Sequence, residues 1–99
     1  MVRFGDPTEV IQVDIGQAFA IALASNPTTG YTWEAEVDER VLERLGKEFE
    51  PHGQGVGAGG QEVLRFRALQ AGETKITVEY RRPWEAKARD ARHFSVRIA

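Results

Sequence analysis

The sequence predicts an all-β chain, an immunoglobulin-like antiparallel β-sandwich of about seven strands with one short helical turn. Three observations predict it. Apolar residues recur at every second position through six separate runs, the period of a strand with one buried face. Turn signals separate the runs at intervals of about 8–12 residues, the spacing of a sandwich. No stretch is left over for the crossover helices that a parallel sheet requires.

The elements follow in order. Val10, Ile11 and Val13, set among Glu9, Gln12 and Asp14, form the first strand. Phe19, Ile21 and Leu23 alternate with alanines in the second. Tyr31, Trp33, Ala35 and Val37 alternate with Thr32, Glu34, Glu36 and Asp38 in the third. Residues 38–49 break the pattern: Val41, Leu42 and Leu45 are spaced for one face of a short helix, with Asp38 as its N-cap and Gly46 at its end. A short strand at Lys47–Glu50 is expected to follow. Leu64, Phe66 and Ala68, then Ile76, Val78 and Tyr80, then Phe94, Val96 and Ile98 mark the remaining strands. Gln70-Ala71-Gly72-Glu73 reads as a hairpin turn between two of them. Five of the six runs carry β-branched or aromatic residues on the apolar face, which favours strand over helix.

Composition bounds what the chain can be. Its 99 residues suit one domain, residues 1–99, with a single core. With 41% apolar and 28% charged residues, it has the make-up of an ordinary globular domain and not of a disordered one. No run approaches the ~20 apolar residues of a membrane helix, so no membrane role is expected. Met1 to Pro7 hold no apolar h-region of a secretory signal, and localisation stays open, the periplasm and the extracellular space included. The absence of cysteine removes disulfides and thiolate metal sites, so the core alone must hold the fold.

A net charge of −2 gives no reason to expect nucleic acid as a partner. The charge is nevertheless uneven. Residues 34–50 hold seven acids against three bases, and residues 81–99 hold six bases against two acids. Solvated faces of opposite sign account for this; a basic C-terminal part that steers the protein toward an acidic partner surface is the sharper reading. Nothing in the apolar pattern demands a dimer, so the free protein is expected to be a monomer.

Enzymatic chemistry is poorly supplied. His93 and Ser95 lie two apart on one strand, out of phase with Phe94 and therefore toward solvent, and nothing resembles a nucleophile elbow. Two histidines, His52 and His93, make a weak metal site without cysteine. Glu34 and Glu36 belong to the outer face of a strand, where charge is normal. No catalytic residue, metal or cofactor is expected.

Three segments interrupt the strands with residues that fix the backbone or display a side chain. In Asn26-Pro27-Thr28-Thr29-Gly30-Tyr31, Pro27 fixes φ, Gly30 permits positive φ, and Asn26 can bond its own backbone in an Asx turn. Thr28 and Thr29 are expected at its tip with hydroxyls free to bond outward. Pro27 also excludes glycosylation of Asn26. In Gly53–Gly60, five of eight residues are glycine. Gly55, Gly57 and Gly60 spell G-x-G-x-x-G, but a strand pattern follows where a phosphate cradle needs a helix, so a mobile loop between strands is expected. In Arg82-Pro83-Trp84, Trp84 is in phase with no strand. It either stands exposed as a binding anchor or folds back over the sandwich edge.

Together these segments resemble the chagasin family of cysteine-peptidase inhibitors. NPTTGY at Asn26–Tyr31, the glycine-rich Gly57-Ala58-Gly59-Gly60, and RPW at Arg82–Trp84 stand in the family's order, and Tyr31-Thr32-Trp33 and Leu64-Arg65-Phe66-Arg67-Ala68 also match. The resemblance implies an immunoglobulin-like sandwich whose three motif loops cluster at one end and fill the active-site cleft of papain-like cysteine peptidases. It implies that Thr28 and Thr29 approach the catalytic Cys–His pair, that Trp84 stacks beside the cleft, and that Gly57–Gly60 lies along the opposite wall. Inhibition would then be reversible, competitive and tight. The alternative on the residues alone is a non-inhibitory adhesion or carbohydrate-binding module that stacks a sugar on Trp84.

Overall fold

The computed structural model describes residues 1–53 and 59–99. Eight strands run through the described residues: β1 (Val2–Phe4), β2 (Ile11–Val13), β3 (Ala18–Ser25), β4 (Thr32–Glu36), β5 (Leu42–Pro51), β6 (Gly60–Ala68), β7 (Gly72–Arg81) and β8 (Asp90–Ile98). They form two four-stranded sheets, in the orders β1-β3-β6-β5 and β2-β8-β7-β4. Period-two alternation turns one face of each sheet inward. Phe19, Ile21, Leu23, Leu64 and Phe66 from one sheet meet Ile11, Trp33, Ile76, Val78, Phe94 and Val96 from the other in a continuous buried cluster. Phe19 lies against Phe66 with ring centroids 5.7 Å apart. Each such side chain contributes roughly 1.5–3 kcal/mol through burial, which is how a chain without disulfides holds together.

The β-sandwich expected from the sequence is present, with three differences of detail. No helix forms over residues 38–49. The Asp38 carboxylate accepts from the Arg40 N–H at 3.0 Å, making an Asx turn where an N-cap was expected. The Asp38 carbonyl accepts from Val41 and Leu42 N–H at 3.0 and 2.9 Å, and β5 starts at once. A bulge between Arg44 and Gly46 shifts its register against β6, so Leu42 is buried while Leu45 is exposed. The i, i+3 spacing of these leucines reflects the bulge and not a helical face.

Residues 70–73 do not close a hairpin. They carry the chain from β6 in one sheet to β7 in the other. The third difference concerns the N-terminal strands, which pair in parallel, β1 with β3 and β2 with β8, while the remaining pairs are antiparallel.

Strand polarity sets where the connections fall. Ser25, the last residue of β3, lies opposite Gly60, the first of β6, and Gly60 lies opposite Pro51, the last of β5. In the other sheet Thr32, the first residue of β4, pairs with Arg81, the last of β7. The connections 26–31, 52–59 and 82–89 therefore leave from one pole of the sandwich. β1 begins, and β8 ends, at the opposite pole, where Ala99 N–H donates to the Val13 carbonyl.

Candidate functional site

The connection from β3 to β4 is a single 3-10 turn, Pro27–Thr29, that builds its own hydrogen bonds. Asn26 is extended at φ −133° and its Oδ1 accepts from Thr28 N–H at 3.2 Å and Thr28 Oγ1 at 2.6 Å. The Asn26 carbonyl accepts from Thr29 N–H at 3.1 Å and from Thr29 Oγ1 at 2.7 Å. Pro27 presets the first residue of the turn, and its carbonyl accepts from Gly30 N–H at 3.0 Å. Gly30 then reverses the chain at φ +85°, a conformation that costs any side chain dearly. The hydroxyl protons of Thr28 and Thr29 are thus spent within the turn, against the expectation that they point outward. What the two exposed threonines offer a partner is methyl surface and oxygen lone pairs.

The connection from β7 to β8 is fastened to this turn by Arg82. Its Nε donates to the Thr29 carbonyl at 3.1 Å, and its Cζ lies 4.6 Å from the Tyr31 ring centroid and 5.9 Å from that of Trp84. Pro83 and Trp84 follow on the exposed side. Trp84 is 74% exposed, so it does not fold back into the sandwich. The edge of its indole leans toward the first loop: a Cβ on Gly30 would stand 3.3 Å from Trp84 Cη2. Gly30 is thus favoured by its φ, and a side chain there would also crowd the exposed indole.

Below the two loops a column of rings continues into the core. Tyr31 stacks on Tyr80 at 5.2 Å, Tyr80 meets Trp33 at 4.7 Å, and Arg92 lies over Trp33 at 5.1 Å. Arg89 covers Tyr31 at 5.3 Å. The Tyr80 hydroxyl accepts from Asn26 N–H at 3.2 Å, which ties β7 to the start of the first loop. Arg81, Arg82, Lys87, Arg89 and Arg92 all belong to this pole, so the basic segment of the sequence surrounds the loops.

Of the glycine-rich connection, Gly59 and Gly60 join the same pole, while Gly57 and Ala58 lie outside the described residues. The Gly59 carbonyl accepts from His52 N–H at 2.9 Å. A Cβ on Gly60 would collide with the Glu50 carbonyl and come within 2.7 Å of Phe49 Cζ, so only glycine fits there. Across the outer face of this sheet, Arg3 on β1 reaches Glu50 near the end of β5 with two hydrogen bonds of 2.7 and 2.6 Å. The hydrogen bond from that guanidinium holds the Glu50 carboxyl below the usual carboxylate range.

Two site residues escaped the sequence reading. Glu62 is only 3% exposed, yet it carries a carboxylate between the sheets, in reach of Ser25, Trp33 and Lys47. Its signal was available: an acid in phase with Leu64, Phe66 and Ala68 on an otherwise apolar face. Tyr80 reads in the sequence only as a strand residue in phase with Ile76 and Val78, and its hydroxyl contact with the first loop has no signature in spacing.

Among the described residues no group of three or more His, Cys, Asp or Glu side chains could hold a metal ion. His93 is exposed, with Nδ1 3.1 Å from Thr77 Oγ1, and Ser25 is buried, its hydroxyl donating to the Glu62 carboxylate out of reach of solvent.

The family model for chagasin family peptidase inhibitors (I42) matches residues 12–98. The chain is 35% identical over 89 residues to amoebiasin-1 of Entamoeba histolytica, spanning 89% of this chain and 86% of that protein. It is 33% identical over 92 residues to chagasin of Trypanosoma cruzi, spanning 87% and 84%. Its fold superposes on the crystal structure of a cysteine protease inhibitor of Entamoeba histolytica, EhICP2, with a TM-score of 0.83 and 21% identity, covering 99% of this chain and 95% of that one. The chain belongs to the chagasin family of peptidase inhibitors, and it is an inhibitor and not an enzyme.

Proposed function

We propose that residues 1–99 form one inhibitor domain that blocks the cleft of papain-like cysteine peptidases with the loop pole described above. The contact residues are Asn26 to Tyr31 in the centre, Arg82, Pro83 and Trp84 on one flank, and Gly57 to Gly60 on the other. One observation carries the reading: Trp84 stands 74% exposed beside Gly30, with Arg82 bonding both loops into a single protruding edge. Large exposed aromatics on rigid loops are what binding surfaces concentrate.

The chemistry follows from what the edge withholds. A cysteine peptidase acts when an extended peptide bond reaches attack distance from its thiolate. The segment 27–29 is instead a closed 3-10 turn whose carbonyls from Asn26 and Pro27 are engaged internally. It enters the cleft as a wedge and offers no bond in attack geometry. Because Pro27, Gly30 and five internal hydrogen bonds fix the turn before docking, little conformational entropy is lost on binding. Inhibition is accordingly reversible, competitive and tight.

The test is a titration of active papain with the protein, following hydrolysis of a small fluorogenic substrate. Substrate-competitive loss of activity near equimolar protein, with the inhibitor recovered uncleaved, is expected. Undiminished hydrolysis at micromolar protein across several such peptidases overturns the proposal.

A further inference from the structure

A carboxylate buried between two sheets is costly unless donors surround it. Glu62 has them. Its Oε2 accepts from Ser25 Oγ at 2.5 Å, its two oxygens accept from Trp33 N–H at 3.1 and 3.2 Å, and Lys47 Nζ stands 3.3 Å from Oε1. Lys47 Nζ also donates to the Trp33 carbonyl at 2.8 Å. β4 is an edge strand, and both main-chain polar groups of Trp33 are turned away from β7. Side chains from the opposite sheet therefore stand in for a missing neighbour at this one residue.

The positions of these partners give the cluster a meaning beyond edge protection. Ser25 is the residue before Asn26, and Trp33 is the second residue after Tyr31. Glu62 itself comes two residues after Gly60, at the end of the glycine-rich connection. One side chain thus holds the incoming and outgoing stems of the first loop and the base of the second. We infer that Glu62 is a positioning residue for inhibition, fixing the angle and separation at which the loop 26–31 leaves the sandwich. This inference rests on the reading that the loop pole binds the peptidase. Glu62 touches no partner in that reading; it acts by limiting the conformations the loop samples before docking.

The test compares Glu62→Ala, Glu62→Gln and Val96→Ala with the parent protein. Val96 is buried near the opposite pole, so its truncation lowers stability without touching the loop stems. Two readouts are taken at a temperature where circular dichroism shows every variant folded: the inhibition constant against papain, and hydrogen exchange of the amides of residues 28–33 in the free protein.

Glu62→Ala is expected to raise the inhibition constant about tenfold, the scale of one charge-assisted hydrogen bond, and to speed exchange at Thr29, Gly30 and Trp33. Glu62→Gln, which keeps an acceptor for Trp33 and a partner for Ser25, is expected to recover most of both. Val96→Ala is expected to change neither. Should Glu62→Ala not fold, Ser25→Ala removes one stem contact and is expected to shift both readouts in the same direction, by less.

The inference is overturned if the folded Glu62→Ala or Ser25→Ala inhibits like the parent. It is equally overturned if Val96→Ala, at a matched loss of melting temperature, weakens inhibition as much as Glu62→Ala. A parent protein that fails to inhibit papain removes the reading of the pole instead, and the exchange rates at residues 28–33 then decide alone whether Glu62 positions the loop.

Discussion

Arg82 and Thr29 belong to different loops, yet Arg82 Nε donates to the Thr29 carbonyl at 3.1 Å, with the guanidinium laid over Tyr31. The contact uses both the directional donor and the flat face of arginine. Lysine keeps the charge but has neither the fork nor the plane. Arg82→Lys is therefore expected to weaken inhibition of papain by about 1 kcal/mol, the scale of a partly exposed cation–π contact, with little change in melting temperature. Equal inhibition constants for the two proteins would show that the two loops keep their relation without it.

Trp84 is expected to act at the partner surface and not in the fold. At 74% exposure its removal takes little from the core. Trp84→Ala should leave the unfolding midpoint nearly unchanged and cost on the order of 2 kcal/mol in affinity, the scale of an aromatic hot spot. Thermal unfolding and the inhibition constant, measured on one preparation, separate these two effects.

Gly30→Ala tests the turn itself. The new methyl meets φ +85° and the Trp84 indole at 3.3 Å together. A loss of about 1 kcal/mol in unfolding free energy is expected from the backbone strain alone. The displaced indole should add a loss of inhibition no larger than that of Trp84→Ala. Denaturant unfolding followed by inhibition assays in the double variant checks both parts, since coupled residues give non-additive losses.

The Arg3–Glu50 pair gives a pH dependence of definite sign. The Glu50 pKa is lowered in the folded chain, chiefly by the hydrogen bond from Arg3. Its contribution is therefore fully present above the ordinary carboxylate range and is lost as pH falls through the lowered folded value. Both side chains are substantially exposed, so the contribution is modest and salt-sensitive. The difference in melting temperature between the parent and Glu50→Gln should be largest near neutral pH and vanish in acid. A difference that stays constant down to acid pH would assign the effect to something other than this ionisation.

Most of the sandwich was legible because a half-buried strand writes its phase into the sequence. Trp33 and Ala35, Leu64 and Phe66, and Phe94 and Val96 face inward as their alternation requires. β1 was missed because three residues carry too little pattern, and only Phe4 among them is half-buried. Residues 38–49 misled because a bulge inserts a residue and leaves leucines at a helical interval. The turn at 70–73 misled because spacing tells where a strand ends and not which sheet the next one joins.

At the site, the loops were legible through Pro27, Gly30 and Trp84, whose backbone or exposure demands are local. The Asn26 hydrogen bonds that turn the threonine hydroxyls inward were not, because they depend on the closed turn. Glu62 went unnoticed for a different reason. Its donors come from three other strands, and only the assembled sandwich brings them to one point.

The polarity of β1 and β8 has a practical outcome. β1 starts, and β8 ends, at the pole opposite the loops, so a polypeptide joined before Met1 or after Ala99 would emerge on the far side of the sandwich. A fluorophore, surface tether or fused carrier attached at either position leaves the wedge unobstructed. The protein can therefore be immobilised by its ends as an affinity matrix, with every copy presenting the same edge to solution.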